Sequence, residues 1–190
     1  MEIELKNPDI RKLKDMEDVL LDKNVAKSNP EKEIYYMYRG VDEKDGLRYD
    51  ITVIPPFMMG EEYVKTLGHF HGEDANEMYI LLEGEALWIF QKGKDAVENF
   101  YAVKGKKGDC VIVPRGYAHV TINTSDKTLK MANWANKSSG FDYETVKNKH
   151  GLCYYYTTKG WVKNNNYKNI PEIRYEEPLK EVPQNLDFLK

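Results

Sequence analysis

The sequence has few cysteines, few histidines and no long apolar run. Cys110 and Cys153 are the only cysteines among 190 residues, and only four histidines are present. Because both cysteines stand among apolar or aromatic residues, we expect two buried thiols and no disulfide. Apolar runs such as 79–82 are far shorter than the roughly 18 residues of a membrane span. We therefore expect no membrane segment.

A large net charge of either sign is also absent. The 28 Lys and Arg residues face 31 Asp and Glu residues, which gives a formal net charge of -3. Since nucleic-acid-binding proteins need a basic surface, we expect no nucleic-acid partner. The first six residues alternate between charged and apolar and do not resemble a signal peptide, so we expect a cytoplasmic protein. The length suits one domain with its own hydrophobic core.

The pattern of apolar residues predicts a β domain between a helical segment and a polar tail. Apolar residues recur at helical spacing from Ile10 to Leu20, behind Pro8, which predicts a helix through about Leu21. Short apolar or alternating runs between turn residues predict strands at 34–39, 47–54, 62–67, 77–83, 85–91, 98–103, 109–113, 118–123 and 128–135. A short helix over 143–149 and a strand near 152–157 follow. The tail is expected to cover the surface or to add an edge strand.

Three of the four histidines lie in two short stretches of the chain. His69 and His71 are separated by one residue, so on a strand both side chains point to the same face. Glu77 opens the next apolar run, and His119 follows a Pro-x-Gly turn before another strand. If these side chains converge inside a barrel, they form a site for a divalent transition metal. His150 lies at a predicted helix end, where we expect it to cap the helix.

Both histidine stretches resemble the two motifs of the cupin superfamily. The pattern Gly-x5-Pro-x-Gly-x2-His-x3-Asn occupies 108–123, and His-x-His followed by Glu and Gly occupies 69–84. Two departures are present. Five residues separate His71 from Glu77 where three or four are usual, which a longer loop at 72–76 accommodates, and Tyr63 replaces a leading Gly. The resemblance implies an all-β cupin double-stranded β-helix, that is, a jelly-roll barrel.

The resemblance also suggests how the chain is divided. We expect a helical segment packed on the barrel at 1–32, the cupin barrel at 33–160 and a C-terminal extension at 161–190, all in a single domain.

Within the cupins, the sequence is similar to the metal-dependent glucose-6-phosphate isomerases first known from archaea. The similarity runs from about Tyr35 to Tyr143 and depends on threonines, tyrosines and their spacing. It implies four metal ligands, namely His69, His71, Glu77 and His119. It also implies five substrate contacts, namely Thr52, Thr66, the Gly68 backbone, Tyr35 and Tyr79. It implies Fe(II) as the metal and a homodimer as the assembly. The ligand types alone also admit Mn, Ni, Co or Zn.

The function implied by the resemblance is the interconversion of glucose 6-phosphate and fructose 6-phosphate in glycolysis and gluconeogenesis. A sugar phosphate is then the small-molecule partner. Glu77 is the predicted catalytic base that moves a proton between C1 and C2 of the sugar. A direct hydride shift between the same carbons would need no base.

Two other functions stay open at this point. An Fe(II)-dependent dioxygenase would use the same donor types. A sugar-phosphate-binding cupin without turnover is suggested by Ala135 and Phe141, which stand where the family has a Tyr and a His facing the sugar. Trp134 is a candidate to replace the missing aromatic surface, although it carries no acid or base.

Overall fold

The computed structural model describes residues 5–72, 76–137 and 140–190. Strands are the main secondary structure, and helices are few and short. The strands are β1 (Asp9–Lys12), β2 (Glu33–Lys44), β3 (Leu47–Ile54), β4 (Met58–Met59), β5 (Glu62–Tyr63), β6 (His69–His71), β7 (Glu77–Glu83), β8 (Glu85–Lys92), β9 (Asn99–Lys106), β10 (Cys110–Val113), β11 (Tyr117–Ile122), β12 (Leu129–Asn136), β13 (Phe141–Asp142), β14 (Tyr154–Thr157), β15 (Gly160–Lys163) and β16 (Arg174–Glu176). The helices are α1 (Asn24–Ser28) and α2 (Tyr143–Asn148), with 3-10 helices at Leu13–Val19 and Asp187–Leu189. The loop expected at 72–76 lies partly outside the described residues.

Two six-stranded sheets face each other across one core. Their strand orders are β1-β2-β3-β12-β7-β10 and β13-β6-β11-β8-β9-β16, and a smaller sheet has the order β15-β14-β5-β4. Side chains from both large sheets pack together, including Leu81 and Leu129 from the first and Phe90, Phe100 and Val120 from the second. Each such large apolar side chain contributes about 1.5 to 3 kcal/mol when it is fully buried. The expected all-β cupin barrel is confirmed.

The N-terminal segment differs from the prediction. Asp9–Lys12 form a strand at the edge of the first sheet, where Arg11 lies opposite Tyr35 of β2. The 3-10 helix Leu13–Val19 follows, and its buried residues recur every third position, which is the period of a 3-10 helix. The prediction of one helix through Leu21 is therefore wrong. Pairing with β2 is a contact between distant parts of the chain, and local spacing cannot reveal it.

Most predicted strands are confirmed with small shifts at their ends, and one is largely wrong. In the predicted strand at 62–67, only Glu62–Tyr63 is a strand, and Lys65 makes an isolated bridge to Ile122. The chain then turns at Gly68, which has a φ of 81°, and His69–His71 form β6. This turn brings the two histidines onto a separate strand of the second sheet.

The C-terminal residues behave as the sequence predicted. β16 pairs in parallel with β9 at the edge of the second sheet. The last residues pack outside the first sheet, where Leu186 and Leu189 join a cluster with Leu47 and Met78. The two cysteines are free and buried, as expected. None of the helices in the described ranges is long and apolar enough to cross a membrane.

Candidate active site

The four predicted metal ligands converge inside the barrel. His69 and His71 lie on β6 and His119 on β11, where His119 is directly opposite His69. Glu77 begins β7 of the facing sheet. One donor atom from each of the four side chains lies within 4.8 Å of the others, and three of the four residues are buried. The cluster therefore joins the two sheets across the interior.

The spacing of the donor atoms fits a single metal ion. His69 Nε2 lies 3.2 Å from His71 Nε2 and 3.3 Å from His119 Nε2. Glu77 Oε2 lies 3.0 Å from His71 Nε2 and 3.5 Å from His119 Nε2. Donors bound about 2.1 Å from one ion, at angles of about 90 to 109°, are about 3.0 to 3.4 Å apart. Glu77 Oε2 is buried and faces the His71 and His119 nitrogens, so it lies where an ion held by the imidazoles would be bound.

Burial sets the protonation of this cluster. Burial, and secondarily the neighbouring histidines, hold the pKa of His69 and of His119 well below its ordinary value. Burial alone would raise the pKa of Glu77, but the adjacent His71 and His119 imidazoles lower it below its ordinary value. Two neutral imidazoles and an ionised carboxylate at neutral pH are the forms that bind a metal.

Asn133 holds the carboxylate in place. It lies on β12, which pairs with β7, and its Nδ2 donates a hydrogen bond of 2.6 Å to Glu77 Oε1. Because Oε1 is fixed in this way, Oε2 is directed towards the imidazoles. Asn133 is not among the residues predicted from the sequence. Its only sequence signal is a polar residue within an apolar strand.

A pocket adjoins the cluster, and all five residues predicted to contact substrate line it: Tyr35, Thr52, Thr66, Gly68 and Tyr79. The Thr66 hydroxyl oxygen accepts a hydrogen bond of 3.0 Å from the Thr121 N–H. A Cβ at Gly68 would lie 2.5 Å from the Val120 side chain, so this turn needs glycine. The structure thus brings the predicted residues to one cavity.

Two arginines that the sequence analysis did not select also line this pocket. Arg11 extends from β1 and Arg39 from β2. Arg39 Nη1 donates to Asp50 Oδ2 at 3.1 Å, and the fully buried Asp50 also accepts hydrogen bonds from Arg48 and from the Gly40 N–H. Only neutral donors to a phosphate were expected from the sequence, whereas the pocket wall carries two guanidinium groups.

The residues that depart from the family pattern lie in different places. Phe141 lines the pocket, with its ring centroid 4.4 Å from that of His69. Ala135 is buried opposite Glu77 on β12. Tyr143 also lines the pocket, with its ring centroid 5.0 Å from that of His69, so an aromatic hydroxyl is present there.

Trp134 and His150 lie elsewhere. Trp134 packs outside the first sheet in the cluster formed with the C-terminal tail, and its ring is 4.7 Å from Tyr49. The hypothesis that Trp134 replaces the missing aromatic surface is therefore wrong. The His150 ring lies 3.2 Å from the Asp18 carbonyl oxygen and 3.3 Å from Lys23 Nζ, away from the cluster, in agreement with its exclusion from the site. Because these contacts are with another segment, the prediction that His150 caps the helix is wrong.

Comparison with known proteins now identifies the family. The family model for glucose-6-phosphate isomerase matches residues 10–172 of the chain. The chain belongs to the glucose-6-phosphate isomerase family. It is therefore an isomerase, and the matched range contains every residue predicted for the site.

The relatives of this glucose-6-phosphate isomerase family member include two archaeal enzymes of that name. The Pyrococcus furiosus enzyme is 32% identical over 146 residues, which cover 74% of this chain and 76% of the relative. The Thermococcus litoralis enzyme is 30% identical over 155 residues, or 77% of this chain and 79% of the relative. A shorter match, 28% identical over 43% of this chain and 24% of the relative, is to acireductone dioxygenase of Leishmania braziliensis.

Proposed function

We propose that the chain interconverts glucose 6-phosphate and fructose 6-phosphate with a divalent metal held by His69, His71, Glu77 and His119. The observation that carries this proposal is the convergence of these four side chains on one pocket in a chain of this family. A metal bound there would act as a Lewis acid towards negative charge that develops on the substrate oxygens. Of the ions that the donors admit, namely Fe, Mn, Ni, Co and Zn, we propose Fe(II).

The pocket residues are proposed to hold the substrate. Thr52, Thr66 and the Gly68 backbone would contact the phosphate, since hydroxyl and N–H groups donate to phosphate oxygens. The ring of Tyr35 and the side chain of Tyr79 would lie along the sugar. Burial, together with the adjacent Glu77 charge, raises the pKa of Tyr79 well above its ordinary value, so its hydroxyl stays protonated and can donate a hydrogen bond.

Glu77 is proposed as the group that moves the proton between C1 and C2. Phe141 carries no acid or base, so it cannot share this task. Both Glu77 oxygens already have neighbours, because Oε1 accepts from Asn133 and Oε2 lies beside His71. Proton transfer therefore requires one oxygen to exchange its neighbour for the substrate, whereas a hydride shift does not.

Solvent deuterium distinguishes these two routes. If Glu77 carries the proton, glucose 6-phosphate formed from fructose 6-phosphate in D2O will contain deuterium at C2, because the carboxyl group that holds the C1 proton exchanges with solvent before it protonates C2. Mass spectrometry of the product measures the incorporation in the native enzyme and in Glu77→Gln. Glu77→Gln that still turns over, with a product free of deuterium, would contradict the proton-transfer role.

The substrate assignment is tested by a coupled assay. Purified protein is given fructose 6-phosphate, and glucose 6-phosphate is followed with a dehydrogenase while an electrode records oxygen. We expect product formation without oxygen uptake. Oxygen uptake would favour the dioxygenase, and binding of fructose 6-phosphate without product would favour the sugar-phosphate-binding cupin. Either of these results overturns the proposal.

We further propose a cytoplasmic homodimer that acts in glycolysis and gluconeogenesis. The family resemblance supports all three parts. Strand β1 lies at the edge of the first sheet, where a second copy can pair with it, which supports the dimer. Sedimentation equilibrium of the purified chain tests it, and a mass equal to one chain would contradict it.

A further inference from the structure

Arg11 is a pocket cation that no carboxylate neutralises within the described part of the chain. Among the described residues it contacts the Tyr35 hydroxyl, which lies 3.3 Å from Arg11 Nε, and the Tyr35 ring. Arg39, the other arginine of the pocket, differs because it lies 3.1 Å from the Asp50 carboxylate and 3.7 Å from that of Asp9. Within residues 5–72, 76–137 and 140–190, Arg11 therefore has no counter-ion, and its terminal nitrogens bind no other side chain.

The Tyr35 hydroxyl links Arg11 to the turn that precedes the metal ligands. Its oxygen accepts one hydrogen bond from Arg11 Nε and one of 3.2 Å from the Leu67 N–H. A phenolic oxygen accepts through its lone pairs and donates a single proton. With two donors already on the oxygen, the proton points elsewhere, and residues 5–72, 76–137 and 140–190 provide no acceptor for it. It is therefore available to a ligand.

These groups share one corner of the pocket. Leu67 stands between Thr66 and Gly68, and all of them line the cavity together with Arg11 and Tyr35. A guanidinium, a phenol proton and the hydroxyl and backbone groups of the turn form a set of donors with a net positive charge. Phosphate dianions bind to such sets, since arginine pairs with phosphate through charge-assisted hydrogen bonds.

We propose that Arg11 and the Tyr35 hydroxyl bind the phosphate of the substrate and select phosphorylated over unphosphorylated sugar. This inference rests on the proposed function, because it assigns the end of the pocket at which a sugar phosphate is anchored. It adds a charged group to the neutral donors named above. It also sets the direction of the sugar, with the phosphate at Arg11 and the reacting carbons towards the histidine cluster.

The test compares Arg11→Gln and Arg11→Lys with the native enzyme. We expect Arg11→Gln to raise the KM for fructose 6-phosphate by about ten- to a hundredfold, the range for losing one hydrogen bond to a charged group. Competitive inhibition by inorganic phosphate should weaken by a similar factor, while kcat stays nearly constant. Arg11→Lys should restore part of the affinity, since it keeps the charge and loses the planar fork.

One control and one further variant separate this role from a purely structural one. Lys14→Gln removes the same charge from a nearby exposed side chain that pairs with Glu31 outside the pocket, and it should leave both constants unchanged. Tyr35→Phe keeps the ring and removes the phenol proton, so it should also raise the KM. Thermal melts check that each variant is folded. If Arg11→Gln is not folded, the KM of Arg11→Lys or Tyr35→Phe tests the inference instead.

An unchanged KM and unchanged phosphate inhibition in a folded Arg11→Gln would overturn the inference. A fall in kcat at constant KM would also do so, because it would place Arg11 at the reacting carbons. Failure of the proposed function gives a different result, because the native enzyme would then show no isomerase activity. Calorimetry with inorganic phosphate then still compares native protein with Arg11→Gln, and equal affinities would refute the phosphate site.

Discussion

Replacing His71 by alanine is expected to lower isomerase activity by about a thousandfold or more. The side chain is 1% exposed and lies 3.0 Å from Glu77 Oε2, at the centre of the donor cluster. Its removal takes one imidazole from the proposed metal site and leaves the Glu77 carboxylate without its neighbour. Lewis-acid stabilisation is worth several kcal/mol, and each 1.36 kcal/mol is about a tenfold change in rate. The coupled assay measures the activity, and atomic absorption measures the bound metal.

His150→Ala is the matched control for this variant. His150 contacts the Asp18 carbonyl oxygen and Lys23, outside the pocket, so its replacement should preserve activity and metal content. The core side chains of the barrel come from other positions, so His71→Ala should remain folded. Circular dichroism checks this. A folded His71→Ala with native activity would contradict the assignment of the metal site.

Asp50→Ala is expected to lower the free energy of unfolding by about 3 kcal/mol. The Asp50 side chain is 1% exposed and accepts hydrogen bonds from Arg39, Arg48 and the Gly40 N–H. Without the carboxylate, two partly buried guanidinium groups and one backbone donor lose their partner. Removing one member of a buried ion pair costs about 3 to 5 kcal/mol, and the partial exposure of both arginines places this case at the lower end. Urea denaturation measures the change.

The control for Asp50→Ala is Asp126→Ala, which removes a carboxylate from an exposed turn. Surface substitutions of this kind change stability by about 0.5 kcal/mol or less. Asp50→Asn gives a second comparison, because the amide oxygen can still accept the Gly40 N–H while the charge is lost. If Asp50→Ala is no less stable than Asp126→Ala, the buried pair does not stabilise the fold.

The sequence predicted the barrel well where local pattern and fold agree. The predicted strands at 47–54 and 77–83 match β3 and β7 at both ends, because alternating or apolar runs there end at turn residues. It failed at the N-terminus, where spacing typical of a helix belongs to a strand and a 3-10 helix. There, edge pairing of β1 with β2 decides the structure, and that pairing joins residues more than 20 positions apart.

The residues of the site also fall into those that the sequence predicted and those that it did not. The metal ligands were predicted because their spacing along the chain forms a motif, and the structure brings their donor atoms together. Arg11 was missed because it fell inside the wrongly predicted helix. Arg39 and Asn133 were missed because each meets the site through pairing between strands distant in sequence, with no motif of its own.

A metal titration tests the central claim most directly. Protein stripped with EDTA is titrated with Fe(II) under anaerobic conditions, or with Mn(II), while the conversion of fructose 6-phosphate is followed. The account predicts no activity before addition and a linear rise that stops at one equivalent per chain, with no rise in His71→Ala. Full activity of the stripped protein, with no bound metal detected, would contradict the account.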